Sequence, residues 1–305
     1  MYKALVIGCG NIGAQYDIQS DRIMTHGKAF AGRKACRLTF YDKDASLAKA
    51  AARRHGAGWI SELREKEYKS FEMISICTPT HIHYDHLKGC LKAGTPVILC
   101  EKPISYSLDE LRDLKGLYRK GNSRVLVNYM RRFQPSYIQL KKKLKPWGRA
   151  DQLIIKYKRG IANNGSHALD LLEFIFEKKI NLSGIRFEKP VYDAFAQDPT
   201  LGGHGIWNNM YLNLVGIPDT AYPVFEIEIY YKQGCVLITD SGNNLQMNEM
   251  KKGVWKEQYS QTHCLNHYML PVIRKAEYLL AHATAGDNFL DALKLNETIL
   301  NHIPQ

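Results

Sequence analysis

An apolar run, Ala4-Leu5-Val6-Ile7, leads straight into Gly8-Cys9-Gly10-Asn11-Ile12-Gly13, and no other stretch restricts the fold as strongly. The pair reads as a buried strand followed by a G-x-G-x-x-G turn. The first glycine permits a sharp turn, the second lets the backbone approach a pyrophosphate, and the third lets the next helix pack against the strand. N–H groups at that helix start would face the anion, with the helix dipole adding to the attraction. A second strand, residues 37–41, ends in Asp42, where a carboxylate can accept a ribose 2′-hydroxyl. The expected ligand is therefore a dinucleotide, held by Gly8, Gly10, Asn11, Ile12, Gly13 and Asp42. Asp42 favours NAD, because a carboxylate repels a 2′-phosphate, while Lys43 beside it pulls the other way and leaves NADP open.

Asp42 lies further from the glycine turn than the usual ~20 residues. Residues 14–36 leave room for a loop at Ser20-Asp21-Arg22 before a helix capped by Thr25. Strands and helices then alternate: helix 45–54, strand 71–77 broken by Thr78-Pro79-Thr80, helix 83–91, strand 96–100, helix 108–119 and strand 125–127. Such alternation predicts a doubly wound parallel sheet in an α/β domain, with its ligand outside the carboxyl ends of the strands. After about residue 125 the pattern changes. A helix at 135–144 precedes strands at 151–157, 180–187, 225–231 and 235–239, the last two joined by a turn at Gln233-Gly234. Helical patterns at 268–283 and 287–299 close the chain. Residues 1–125 are thus expected to bind the dinucleotide, and residues 126–305 to form an α+β domain with an open, mainly antiparallel sheet that binds substrate and carries oligomer contacts.

Composition narrows the partners. The 305 residues suffice for two domains, and 45% hydrophobic with 24% charged residues is ordinary for a globular chain. No apolar run reaches the ~18 residues of a membrane span, and a strand beginning within the first residues leaves no room for a signal peptide. Seven cysteines without a C-x-x-C pair read as reduced thiols of a cytoplasmic protein. The formal charge of +12 suits nucleic acid, an anionic membrane surface or an anionic small substrate. Neither basic cluster, Lys141-Lys142-Lys143 nor Lys156-Tyr157-Lys158-Arg159, comes with a nucleic-acid-binding motif, so the small substrate is expected. His81 and His83, like His263 and His267, lack a further ligand at a suitable spacing, and no metal is expected.

Three segments carry chemistry. Glu101-Lys102-Pro103 follows one strand end, and Thr78-Pro79 with His83 follows another. Asn163-Asn164-Gly165-Ser166-His167-Ala168-Leu169-Asp170 opens a helix, with His167 and Asp170 on one face. At these residues, together with Gly8 to Gly13, Thr25-His26 and Met130-Arg131-Arg132-Phe133, the chain resembles the Gfo/Idh/MocA family of glucose-fructose oxidoreductase and inositol dehydrogenase. The resemblance implies an N-terminal Rossmann domain and a C-terminal domain whose open sheet packs against a neighbouring subunit, as a homodimer or homotetramer. It also implies hydride transfer between a nicotinamide cofactor and a secondary hydroxyl or ketone of a sugar, sugar nucleotide or polyol. The segment from Arg159 to His167 is similar to members from polysaccharide and sugar-nucleotide pathways.

Removing hydride from a carbinol carbon requires a base for the hydroxyl proton, and His167 titrates in the right range. Lys102 is the cation that would favour the alkoxide-like oxygen. Arg131, Arg132 and Asn163 join Lys102 and His167 as expected substrate ligands, while Thr78, Pro79, His83 and Glu101 join the cofactor residues. Where the family usually has an Asp four residues before this His, the chain has Asn163, which cannot take a proton. Catalysis then rests on His167 and Lys102, with Asp170 as an orienting carboxylate, and an Asn163→Asp change is expected to be tolerated. The alternatives are a family member that binds cofactor without turnover, or redox-assisted chemistry on another substrate.

Overall fold

Ala4, Leu5, Val6 and Ile7 are fully buried in the computed structural model, which describes residues 1–282 and 284–303. They belong to β1 (Tyr2–Ile7), which pairs with β2 (Cys36–Tyr41), and β2 pairs onward with β3 (Gly58–Trp59). On its other edge β1 meets β4 (Met73–Ile76), followed by β5 (Val97–Cys100) and β6 (Arg124–Val127). Every pairing is parallel, and the order β3-β2-β1-β4-β5-β6 reverses between β1 and β4. Such a reversal opens a crevice at the carboxyl ends of the strands. The crossovers are α1 (His26–Ala31), α2 (Ala45–His55), α3 (Glu65–Lys69), α4 (His83–Ala93) and α5 (Leu108–Lys120). Every residue of β4 and β5 is buried, as a parallel sheet covered on both faces requires.

The glycine turn itself opens only a five-residue turn, Asn11–Gln15, in place of a helix start, while the helix capped by Thr25 begins at His26 after the loop, as expected. N–H groups still line the turn, but the summed dipole of a long helix does not stand behind them. The intervening loop is organised by buried Asp17, which accepts the N–H groups of Met24 and Thr25 at 2.7 and 2.8 Å and the Thr25 hydroxyl at 2.9 Å. Thr25 in turn caps α1 by accepting from the Lys28 N–H.

The second unit starts with α6 (Pro135–Leu144) and β7 (Gln152–Tyr157), continues through α7 (Ser166–Phe176), and is built on strands thereafter. These are β8 (Ile185–Phe187), β9 (Val191–Phe195), β10 (Asp198–Thr200), β11 (Gly203–Trp207), β12 (Met210–Gly216), β13 (Phe225–Tyr231), β14 (Gly234–Thr239), β15 (Asn244–Lys251) and β16 (Val254–Gln261). Eight form one sheet, β16-β15-β14-β13-β7-β12-β11-β8, in which only β12 and β7 run parallel. One face buries Leu153, Ile155, Tyr157, Ile227 and Ile229, whereas the other leaves Tyr211, Ile206, Val215 and Tyr230 exposed. Among the described residues β9 and β10 pair only with each other.

Local chemistry accounts for the differences from expectation. Residues 180–184 are not strand, because the Asn181 side chain accepts the Ser183 N–H at 2.9 Å and turns the chain. The hairpin turn is Lys232-Gln233, and Gly234 already pairs with Tyr231. Four strands between residues 191 and 216, and the pair β15–β16, are additional. Asn208 and Asn209, and Lys252 with Gly253, take positive φ and close the β11–β12 and β15–β16 hairpins.

α8 (Met269–Ala281) and the start of α9 (Phe289–Leu300) count with the first unit, which comprises Met1–Met130 and Asn266–Leu293. Glu277 of α8 takes both Arg33 Nε and an Arg33 amino group at 2.9 and 2.7 Å, and also the Tyr2 hydroxyl. The Asn288 side-chain amide pairs with both backbone polar groups of Val127, standing in for a neighbouring strand at the β6 edge. Ala283, the expected last residue of α8, lies outside the described residues.

Candidate functional site

The carboxyl ends of β1, β2, β4 and β5 share one edge of the parallel sheet, and the expected cofactor residues lie there. A Cβ on Gly8 would stand 2.9 Å from the Cys77 carbonyl carbon and oxygen, and one on Gly13 would collide with the Gly8 carbonyl oxygen. Gly10 is different: nothing lies within 4 Å of its absent Cβ, so the backbone there is open to a ligand. Asp42 links β2 to the turn, its Oδ2 accepting the Cys9 N–H at 2.7 Å and its Oδ1 the Asp44 N–H at 3.0 Å. A carboxylate has about four lone-pair positions, so capacity remains for a ribose hydroxyl. Lys43 beside it is exposed, as is Asn11, and Ile12 is half-buried. Thr78 Oγ1, at the end of β4, is buried without a hydrogen-bond partner. An open glycine, an acid at the end of β2 and an orphaned hydroxyl together fit a dinucleotide.

His83 has a different place from the one expected of a cofactor ligand. Its ring is buried, with Nε2 at 2.7 Å from the Thr78 carbonyl and Nδ1 at 2.9 Å from the Pro103 carbonyl, so it ties the turns after β4 and β5 together. Burial lowers its pKa, against the pull of those two carbonyls. Pro79 is exposed at the start of the short turn Thr80–Ile82.

Glu101 is also an anchor. It is buried, its Oε1 at 2.8 Å from His26 Nε2 and accepting from Asn128 Nδ2 at 2.6 Å. The other ring nitrogen of His26 lies 2.6 Å from Ser75 Oγ. Burial by itself would raise the Glu101 pKa, but His26, Asn128 and the Lys102 charge outweigh it and hold the carboxylate below its ordinary range. Lys102 follows on this fixed support and is half-buried.

In the second unit, β7 runs into a turn, Ile161–Gly165, that leads directly to α7, and His167 is the second residue of that helix, largely buried. Asn163 donates its side-chain amide to the Arg159 carbonyl at 3.1 Å, and Asn164 donates to that of Lys158 at 3.0 Å. Asp170 serves Arg132: both its oxygens receive guanidinium nitrogens at 3.0 Å. Burial pushes the Asp170 carboxyl up to about 7, with Arg132 pulling the other way. Arg131, expected at the substrate, is buried with its guanidinium 3.8 Å from the centre of the Phe225 ring and donates to the Ser241 carbonyl at 2.6 Å. Lys156 reaches Glu228 at 2.6 Å and Glu226 at 3.4 Å, so its charge is met within the sheet.

Sequence reasoning missed Ser75 and Asn128 around Glu101, gave His26 no role, and missed Asp193, Asp198 and Thr200 beneath the Asn163 segment. The contacts join residues 27 to 75 positions apart, and no local pattern marks such pairs. Among the described residues no cluster of three or more His, Cys, Asp or Glu could hold a metal, and no helix is long and apolar enough to cross a membrane.

Several known proteins are similar to this chain. Inositol 2-dehydrogenase 2 of Saccharopolyspora erythraea is 29% identical over 190 residues, 57% of this chain and 54% of the relative. Inositol 2-dehydrogenase of Rhizobium meliloti is 27% identical over 138 residues, 45% of this chain and 38% of the relative. The matched stretches thus span about half or less of these relatives' length. The solved structure of UDP-N-acetylglucosamine 3-dehydrogenase GnnA from Acidithiobacillus ferrooxidans superposes with TM-score 0.78 at 16% identity, covering 98% of this chain and 96% of that one. KijD10, a 3-ketoreductase from Actinomadura kijaniata in complex with NADP, gives 0.74 at 13% identity, covering 98% and 96%. At such identities the likeness is one of fold. Residues 2–129, less than half of the chain, match the Gfo/Idh/MocA oxidoreductase family, described as having an NAD-binding Rossmann fold, so the likeness to that family is carried by the first unit.

Proposed function

We propose that the protein moves a hydride between NAD and a secondary hydroxyl or ketone of a sugar, sugar nucleotide or polyol. The observation that carries this reading is Lys102 on its buried support at the end of β5, on the same sheet edge as the open glycine turn of an NAD-binding fold. Bound NAD supplies the hydride acceptor. The chain's part is to hold the dinucleotide with Gly8, Gly10, Gly13 and Asp42, and to meet charge and proton at the substrate. Lys102 stabilises negative charge on the reacting oxygen, and an imidazole nitrogen of His167 takes the hydroxyl proton. Both are assigned to one oxygen through the family resemblance. Asp170, held by Arg132, orients the first turns of α7, which is a different task from contacting the substrate.

The basic balance of +12 favours an anionic sugar derivative, and seven free cysteines favour a reducing compartment, the cytoplasm. The exposed face with Tyr211, Ile206 and Tyr230 favours a homodimer or homotetramer. A panel of polyols, sugars and sugar nucleotides with NAD, followed by absorbance of the reduced nicotinamide, tests the reading. Tight NAD binding with no turnover in either direction on any of them would leave a cofactor-binding protein without catalysis.

A further inference from the structure

We propose that the β9–β10 hairpin positions His167, with Asp193, Asp198 and Thr200 as positioning residues that grip the backbone leading into α7. Four N–H groups of that stretch are taken by hairpin side chains. Arg159 donates to Asp193 Oδ2 at 3.3 Å, Gly160 to the Thr200 hydroxyl at 2.9 Å, Ala162 to Asp198 Oδ1 at 2.8 Å and Asn163 to Asp198 Oδ2 at 2.7 Å. Thr200 also donates its hydroxyl proton to Asp193 Oδ1 at 2.8 Å, which joins these two side chains, while Asp198 holds the next N–H groups along the segment.

The grip is closest, and buried, at Asp198 and Thr200. A Cβ at Gly160 would collide with the Asp198 carboxylate, so the close approach depends on a glycine, here at φ 82°. Tyr157 at the end of β7 exchanges hydrogen bonds with Leu201 just beyond β10, its hydroxyl donating at 2.7 Å and accepting at 3.1 Å. Among the described residues the hairpin pairs with no other strand, and these side-chain bonds, Tyr157 and the Arg159 guanidinium 5.8 Å from the centre of the Phe195 ring hold it against the segment. The Asn163 amide nitrogen donates to the Arg159 carbonyl, and Asp198 holds the Asn163 N–H, so a fixed carboxylate stands at the segment where the family pattern has an acid at position 163.

The inference rests on His167 being the base, and its test separates the two ideas. The full-length chain with ring-labelled histidine is followed by NMR, the His167 signal being assigned by its loss in His167→Gln. In Asp198→Asn and Thr200→Val that signal should shift or broaden and its titration midpoint move, while Thr200→Ser, which keeps the hydroxyl, should restore both. A misplacement of about 1 Å can cost about 100-fold in rate, so kcat should fall about 10- to 100-fold with KM for NAD within about 2-fold. If Asp198→Asn does not fold, the Thr200→Val and Thr200→Ser pair decides alone. An unchanged His167 signal in folded Thr200→Val overturns the positioning role whatever the activity. A moved signal in a protein that turns over no sugar keeps the positioning role and overturns the dehydrogenase reading instead.

Discussion

His26 Nε2 stands 2.8 Å from Glu101 Oε1, both residues buried, and Glu101 is followed directly by Lys102. Removing one partner of a buried, hydrogen-bonded pair typically costs about 3–5 kcal/mol, because the remaining charge is left without compensation. His26→Leu should therefore lower unfolding stability by about that amount, and the His26→Leu, Glu101→Leu double change should recover part of it. Urea unfolding of the three proteins measures this. A His26→Leu chain as stable as the parent would mean that the pair anchors nothing.

Acid should act in opposite directions on the two units. In the first, burial lowers the pKa of His55, His83 and His86 from 6.5, so the unfolded chain binds protons that the folded one refuses. Their contribution is complete above the unfolded value and is lost as pH falls below it; Glu101, held below 4.5, adds a further loss at lower pH. Asp170 in the second unit is raised from 3.8 to about 7, so its contribution is complete at low pH and is lost as pH rises through that window. Hydrogen exchange compared at about pH 7.5 and about pH 5.5 should show α4 deprotected and α7 protected on acidification, after correction for intrinsic rates.

Asp42→Ala should weaken NAD by about 10- to 100-fold, the worth of a hydrogen bond to a charged group at about 1.5–3 kcal/mol, and relax the preference over NADP. Part of the loss comes through the Cys9 N–H, which would lose its acceptor. Calorimetric titration with both cofactors decides, and tighter NADP binding by the unaltered protein would shift the assignment to Lys43.

His167→Ala and Lys102→Ala should each reduce kcat by about 10²- to 10⁴-fold while leaving NAD affinity nearly intact. Asn163→Asp, which the sequence suggests is harmless, should now cost about 1 kcal/mol or more of stability. Its carboxylate would face the Arg159 carbonyl in place of the present amide donor and add charge near Asp198. Thermal unfolding beside steady-state kinetics checks both expectations.

Light scattering at micromolar concentration should give a multiple of the 34.9 kDa chain mass, and Tyr211→Asp on the open sheet face should shift it towards one chain. A single-chain mass for the unaltered protein would remove the case for an assembled sheet face.

The parallel sheet was legible because both of its signals are local. Runs such as Ala4–Ile7 and residues 73–76 are apolar throughout when buried on both faces, and glycine, proline and capping residues punctuate the ends. The glycine turn, Asp42 at the end of β2 and Lys102 after β5 could be placed for the same reason. β15 and β16 could not, because their polar residues, exposed over much of both strands, give no clear alternation. The roles of His83, Glu101, Arg131 and Asp170 were out of reach as well. Each depends on which distant backbone carbonyl, imidazole or guanidinium meets a side chain once it leaves water. Sequence by itself determined the cofactor fold and the candidate chemistry, through patterns a few residues long. Only tertiary structure decided which charged groups are anchors, because desolvation makes a buried charge depend on its partners, and those partners are distant in the chain.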